Sequence, residues 1–404
     1  MGGIFAKSSN MNGNRMGTME EKDTMYEKQL VLMPHLPEEI IIQILSRLSP
    51  RYLLKFRCVS KPWSVLFNNP KLVDMIKNHF IIMVRYGKDM YSIDNESLST
   101  SSSLLDDIDS RIEKIHCPVV DNYFMINFVA CCNGLFCIRT AKCHDFSLWN
   151  PSNGDYKRIP SAPDQFQVDK HSMSTLIGCG LGYDSESDDY KFVCIISNLT
   201  LNQSEAKIYS LRSNLWKPIQ QISYVLSPQT HKYGVFCNGA LHWLSSSSPT
   251  ALIALHMTDE LIRVISPPEN PNFEHIGDTA CIDVLDGCLG MLYCNVDLGF
   301  EVWLMKDYGK KESWTKFYSI SKLAISLEMG RFGRLRRIKC LKTGEILLEI
   351  YHHSIIGGTR EALVLYDPKN ETSKFLKHDK DKWSSSSLSF HSYVKSSVSV
   401  STKH

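Results

Sequence analysis

The chain has 404 residues, of which 43% are hydrophobic, 22% charged and 10% aromatic, so it is not mostly disordered, collagen-like or coiled-coil. At that length two to three domains are expected. Forty-five basic side chains against 43 acidic ones leave +2, which excludes a whole-chain basic field for nucleic acid, and no apolar run reaches the ~18 residues of a membrane helix.

Residues 1–33 read as a disordered tail rich in Gly, Asn, Met, Lys and Glu. The opening Met1-Gly2-Gly3-Ile4-Phe5-Ala6 has no apolar core of signal-peptide length. Gly2 invites myristoylation, but Ala6 stands where that motif wants Ser or Thr. Met33 offers a later start, just ahead of the first structured signal. The 13 cysteines are odd in number and scattered, which points to buried free thiols in a reducing compartment. The expected location is the cytoplasm, with the nucleus as a second.

Residues 34–78 read as a small helical unit. Pro37 suits a first helical position, where its missing N–H costs nothing. Glu38 and Glu39 favour the positive end of the helix dipole. Ile40, Ile41, Ile44, Leu45 and Leu48 make one broad apolar stripe. Ser49-Pro50 ends this helix and caps a second, with Leu53, Leu54, Phe56 and Cys58 as its apolar groups. Ser60 caps a third, carrying Trp63, Leu66 and Phe67. Three helices in about 40 residues bury too little surface to stand alone, so the leftover apolar face packs on the chain or on a partner.

From Phe80 the texture turns to β. Apolar runs such as Phe80–Tyr86, Leu135–Thr140, Phe192–Ile196, Ala206–Leu211, Ala240–Leu244 and Ala362–Tyr366 alternate with turn residues. A turn glycine followed by an apolar strand recurs at Gly134, Gly182, Gly239, Gly287 and Gly344, at intervals of 48, 57, 48 and 57 residues. A second strand with Trp or Tyr follows, as at Phe146–Trp149, Ile208–Leu211, Val302–Met305 and Leu363–Tyr366. A period of about 50 with several strands per repeat predicts a kelch-like β-propeller of about six blades over residues 80–400. A meandering β-sandwich is the alternative. The fold class is thus mostly β with a small α amino-terminal module. The run Ser389–Val400 is expected to pair with Phe80–Tyr86 and close the ring.

These strings carry a resemblance. Leu36–Val73 resembles an F-box in Leu36-Pro37, in Ile44-Leu45-Ser46-Arg47-Leu48, and in Leu53-Leu54-Lys55-Phe56-Arg57-Cys58-Val59-Ser60-Lys61-Pro62-Trp63. It departs at Ser49-Pro50-Arg51-Tyr52. The remainder is similar to the plant F-box-associated, kelch-like domain. The matching strings include Cys132-Asn133-Gly134-Leu135-Phe136, Leu148-Trp149-Asn150-Pro151, Gly180-Leu181-Gly182-Tyr183-Asp184 and Asn238-Gly239-Ala240-Leu241-His242-Trp243. The segment holding Trp303 and Trp314 is similar to the S-locus F-box group of pollen self-incompatibility.

The resemblance implies the substrate-recognition subunit of an SCF-type ubiquitin ligase. The F-box would dock on a Skp-type adaptor and through it on cullin and RING subunits. The β domain would hold a target protein for degradation, S-RNase-like if the S-locus likeness applies. Leu36, Pro37, Ile41, Ile44, Leu45, Leu48, Leu53 and Trp63 match the family's docking positions or the core beneath them. Six cations against Glu38 and Glu39 give Leu36–Val73 a charge of +4, either a solvated face or a surface for an acidic partner.

No catalytic, cofactor or metal site is expected. Cys131, Cys132, Cys137, Cys143 and His144 lack any CxxC pair. Gly178-Cys179-Gly180-Leu181-Gly182 has no helix signal after it, so it is not a dinucleotide cradle. Asp184, Glu186, Asp188 and Asp189 form an acidic turn that reads as solvated. His352-His353 is placed within a strand pair. The alternatives to a ligase subunit are an oxidase-type propeller enzyme and an F-box binding module acting outside a ligase. Target-binding loops are sought at Ser97–Ser103, Ser161–Ser172 and Ser245–Thr250.

Overall fold

The computed structural model describes residues 37, 40, 41, 43 and 44. It also describes residues 80–400 except 87–88, 95–111, 119–125, 141–145, 162–173, 199–202, 220–221, 225, 227–232, 246–250, 270–279, 296–298, 322, 326–333, 342, 354–358, 376–387 and 397. Among these residues the strands form six four-stranded antiparallel sheets arranged as a propeller.

Blade one holds β1 (Phe80–Tyr86), β2 (Asp89–Asp94) and β3 (Ile112–Ile115), with β24 (Leu388–Val394) on its inner edge. Blade two is β4 (Ile126–Cys132), β5 (Leu135–Thr140), β6 (Phe146–Trp149) and β7 (Tyr156–Arg158). Blade three is β8 (Ser174–Asp184), β9 (Asp189–Asn198), β10 (Gln203–Ser210) and β11 (Leu215–Pro218). Blade four is β12 (Val235–Cys237), β13 (Ala240–Leu244), β14 (Leu252–His256) and β15 (Ile262–Ile265). Blade five is β16 (Ala280–Leu285), β17 (Cys288–Asn295), β18 (Gly299–Met305) and β19 (Trp314–Ser321). Blade six is β20 (Arg334–Cys340), β21 (Ile346–His353), β22 (Thr359–Asp367) and β23 (Thr372–Phe375).

The expected period thus corresponds to blades, and the sandwich alternative falls. Middle strands are buried on both faces, which explains their unbroken apolar runs: β6 and β13 are buried throughout. Outer strands β7 and β11 are largely exposed and carry weaker signals. Each neighbouring pair of blades shares one apolar cluster, for example Phe136, Trp149 and Met83 between blades one and two. Trp243, Ile253 and Val193 do the same between blades three and four.

The turns explain the glycines. Asn133-Gly134, Asn238-Gly239 and Asp286-Gly287 have positive φ at both central residues, the geometry of type I′ hairpin turns. Gly182 is not such a turn. It lies inside β8 opposite Lys191, and a Cβ there would stand 2.5 Å from Met257 Sδ. The hairpin turn of blade three is instead 185–188, where Asp188 takes positive φ.

The acidic turn divides: Glu186 and Asp188 are exposed as expected, but its two ends are not. Asp184 and Asp189 are buried, not solvated. Lys191 Nζ donates to Asp184 Oδ2 at 2.9 Å, to Glu260 Oε1 at 2.9 Å and to the Met257 carbonyl at 2.5 Å. This buried ion group ties blade three to blade four. Burial alone would raise Asp184, but the Ser187 hydroxyl and the Lys191 ammonium outweigh it and hold the carboxyl down at about 2.

Ring closure follows the expectation for part of the last run. β24 pairs antiparallel with β1 from Phe80↔Val394 to Tyr86↔Leu388. Residues after Val394 do not continue that ladder; they cross onto blade two. Asn150 Nδ2 donates to the carbonyls of Ser396 (2.9 Å) and Val398 (2.8 Å), and Asn153 Nδ2 donates to Val398 at 3.0 Å. Val398 and Val400 are buried in the cluster between blades two and three.

Two outcomes follow. Removing residues 388–404 uncovers the partners of buried Phe390, Tyr393, Val398 and Val400. At about 1.5–3 kcal/mol per side chain this exceeds roughly 6 kcal/mol. Thermal denaturation is expected to shift down by more than about 10 °C, and an unchanged midpoint would contradict closure. For Asp184 the folded pKa lies below the unfolded 3.8, so its stabilisation is present above that value and is lost as pH falls through about 2. Asp184→Asn is expected to cost about 2 kcal/mol at neutral pH and to flatten the acid limb of denaturant titrations. An acid limb identical to that of the unmodified chain would refute it.

Candidate functional site

The amino-terminal segment shows one helical turn. The N–H groups of Ile40 and Ile41 both donate to the Pro37 carbonyl, at 3.0 and 3.1 Å. Pro37 therefore sits at the helix start as the sequence implies. Ile40 and Ile44, one turn apart, are 39% and 49% exposed, and Ile41 is half-buried. Of the expected docking positions, Pro37, Ile41 and Ile44 are described. Leu36, Leu45, Leu48, Leu53 and Trp63 lie outside the described residues, as do the second and third helices.

The propeller encloses a central channel. Its walls come from β4, β12, β16, β20 and β24, with Arg85 and Glu349 reaching in from the next strands, around a cavity of about 580 Å³. Three inner strands carry a β-bulge: β4 at Phe128/Ala130, β8 at Leu176/Gly178 and β20 at Leu335/Arg337. A bulge places two residues against one partner and re-aims a side chain. In β20 the extra residue is Arg336. It and Arg337 both stand 3.6 Å from the Glu349 carboxylate, one on each oxygen. Glu349 is nearly fully buried and also accepts the Phe390 N–H at 3.1 Å.

Four cations line the channel, Arg85, Arg336, Arg337 and Lys339, against two carboxylates, Asp283 and Glu349. Arg85 Nε donates to Ser389 Oγ at 3.3 Å, and the Lys339 ammonium sits 4.4 Å from the Phe80 ring centroid. Asp283 accepts the N–H groups of Val284 (2.9 Å) and Ile338 (3.0 Å), linking β16 to β20. Burial pushes its carboxyl above the ordinary value, against the pull of Arg337. Burial drives His391 well below its ordinary value, and Arg337, Arg85 and Arg336 add to that shift. Burial lifts the Tyr233 hydroxyl to about 12 while Arg336, Arg139 and Arg337 pull it down. The arginine charges thus reach both sides of the channel.

The cysteine group reads as packing. Cys132 and Cys137 are buried and Cys131 is half-buried. Burial lifts Cys131 to about 12 and raises Cys132 and Cys137 well above the ordinary thiol value. Cys143 and His144 lie outside the described residues. Among the described residues no three His, Cys, Asp or Glu side chains could hold a metal ion together. His242 donates from Nδ1 to the Val235 carbonyl (3.1 Å) and accepts the Tyr308 hydroxyl at Nε2 (2.7 Å). His242 is buried, and desolvation lowers it to about 4. His352 and His353 end β21, opposite Arg360 and Thr359.

Of the target-loop candidates, Ser161 is exposed, while Ser245 is buried and its hydroxyl accepts the Ala251 N–H. The rest of those three loops lies outside the described residues. The arginine pair of the channel was missed at the level of sequence. Its signal was available: two consecutive cations between Leu335 and Ile338 break the strand alternation.

Residues 80–400 match the family described as the F-box associated beta propeller domain, and residues 33–74 match the F-box domain. The chain is 28% identical to F-box protein CPR1 of Arabidopsis thaliana, over 72% of this chain and 74% of that one. It is 29% identical to F-box protein At4g22390 of Arabidopsis thaliana, over 79% of this chain and 81% of that one. A solved structure of an AofleA mutant from Arthrobotrys oligospora is alike at a TM-score of 0.41 and 10% identity, covering 77% of this chain and 83% of that chain.

The channel-side thiols yield a chemical test. Cys131 and Cys281 are held protonated mainly by burial, so they are expected to resist iodoacetamide near neutral pH until denaturant is added. Mass spectrometry reads the label, and fast native alkylation would contradict the assignment.

Proposed function

The chain belongs to the F-box proteins that carry an F-box associated β-propeller domain, and from that premise we propose that it is the target-recognition subunit of an SCF-type ubiquitin ligase. The division is 34–78 for docking and 80–400 for target capture, after a tail of 1–33. The observation that carries the reading is one chain holding both parts, with Ile40 and Ile44 uncovered on the first turn of the docking segment. Uncovered branched apolar side chains one turn apart are what an amphipathic helix offers to a partner groove. Leu36, Pro37, Ile41, Ile44, Leu45, Leu48, Leu53 and Trp63 supply that contact or the core behind it. The partner is a Skp-type adaptor, and cullin and RING subunits follow through it. Ubiquitin transfer belongs to those subunits, so this chain needs a binding surface and no catalytic group.

The target is left unnamed. Trp303 and Trp314, which carry the likeness to the S-locus group, serve blade five. Trp303 Nε1 donates to Glu301 at 3.1 Å, and Trp314 Nε1 donates to the Ser266 carbonyl at 3.0 Å. Those roles favour packing over a particular target.

The test is co-purification of the full chain with a Skp-type adaptor and a cullin. Leu36→Ala with Pro37→Ala is expected to remove both partners while β-sheet circular dichroism stays unchanged. Undiminished capture would overturn the docking assignment. Capture of the adaptor without the cullin would favour a binding module outside a ligase.

A further inference from the structure

We propose that Asn238 is a site of spontaneous deamidation, with its own glycine neighbour as the attacking group and water as the second reactant. The proposal does not rest on the ligase reading; it concerns the propeller alone.

Asparagine precedes glycine at 12, 133, 153 and 238. The first of these pairs lies outside the described residues. The other three are alike in sequence, since glycine carries no Cβ to crowd an attack by its nitrogen on the carboxamide before it. The fold separates them.

The reaction is a ring closure. The backbone nitrogen of the glycine attacks Cγ of the asparagine, an N–Cγ bond forms, and the Cγ–Nδ2 bond breaks. The glycine N–H proton leaves with Nδ2 as ammonia. Water then opens the succinimide at one carbonyl or the other and leaves aspartate or isoaspartate. No oxidant takes part. Three local conditions set the rate: a glycine N–H free to lose its proton, a carboxamide free to turn, and water at the turn.

At Asn133-Gly134 these conditions fail. Gly134 is buried, its N–H donates to the Cys131 sulfur, and the Val394 carbonyl fills the space where a Cβ would stand. Asn153 and Gly154 are exposed but tied. The Gly154 N–H donates to the Asn150 carbonyl at 2.9 Å. The Asn153 carboxamide donates to the Val398 carbonyl at 3.0 Å and accepts the Asp155 N–H at 2.9 Å. Asn238 and Gly239 are both exposed, and a Cβ on Gly239 would meet nothing within 4 Å. Among the described residues no hydrogen bond holds the Asn238 carboxamide or the Gly239 N–H. This pair alone of the three meets every condition.

The turn also has a neighbour that registers the change. The Gly239 carbonyl accepts the Met257 N–H at 2.9 Å, and the Met257 carbonyl accepts Lys191 of the buried ion group. Isoaspartate lengthens the backbone of this two-residue turn, and the shift passes through Met257 to the tie between blades three and four.

The full chain is aged in warm, mildly alkaline buffer, and peptide mass spectrometry follows each pair. Asn238 is expected to convert at least about fivefold faster than Asn133 or Asn153, the margin of one retained hydrogen bond. In denaturant the three sites are expected to convert at similar rates. Asn238→Gly removes the carboxamide and keeps a residue that accepts positive φ at this hairpin turn. The aged parent is expected to melt lower than the fresh chain, and aged Asn238→Gly is expected to keep its midpoint. The proposal is overturned if Asn238 converts no faster than the other two in the folded chain, if its lead persists in denaturant, or if ageing changes the midpoints of parent and variant alike.

Discussion

Seven residue pairs join Leu388–Val394 to Phe80–Tyr86, and that antiparallel ladder closes the ring. Without it blade one lacks its inner strand, and the apolar cluster that includes Phe80, Leu347, Leu365 and Phe390 opens to water. The closure spans almost the whole domain in sequence, so its entropy is high and many contacts must repay it together. The chain adds a second fastening after the ladder. Asn150 holds two carbonyls of the terminal segment, and Gly134 makes room for it: a Cβ there would collide with the Val394 carbonyl. Glycine at 134 thus serves both the hairpin turn and the passage of the carboxy terminus.

Closure also creates the channel. Once the inner strands face one another, whatever they carry on that side meets at the axis. Apolar residues fill the gaps between blades, where packing is dense. The axis itself receives arginine, lysine, histidine and two carboxylates. Buried charges of this kind need partners, and each carboxylate has them: Glu349 in two arginines and a backbone N–H, Asp283 in two backbone N–H groups. Structural closure and the charged wall of the channel therefore come from the same inner strands.

Much of this was legible in the residues. Asn133-Gly134 and Asn238-Gly239 marked hairpin turns because few other pairs tolerate positive φ twice. Pro37 marked a helix start, and Phe80–Tyr86 and Ala240–Leu244 marked strands to the residue. What stayed hidden depended on distant neighbours. Asp184 looks solvated in a run of acids, yet Thr258 and Glu260 of the next blade bury it with Lys191. Gly182 looks like a turn glycine, yet Met257 requires it inside a strand. The paired arginines of β20 depend on a bulge that exists only against β21. Residues 395–400 have strand-like composition, but the space beside β1 is spent and Asn150 directs them elsewhere. Of the candidate docking positions, Pro37 and Ile41 lie on the turn the sequence marked, and Ile44 follows in the same helical segment.

The proposed function divides the labour: the short amino-terminal segment would recruit the ligase, and the closed propeller would be left open to a target. Hydrogen exchange on the full chain, with and without a Skp-type adaptor, measures this directly. New protection is expected to be confined to peptides within residues 36–63, with the exchange of the propeller strands unchanged. Protection on the propeller strands with none in 36–63 would contradict it.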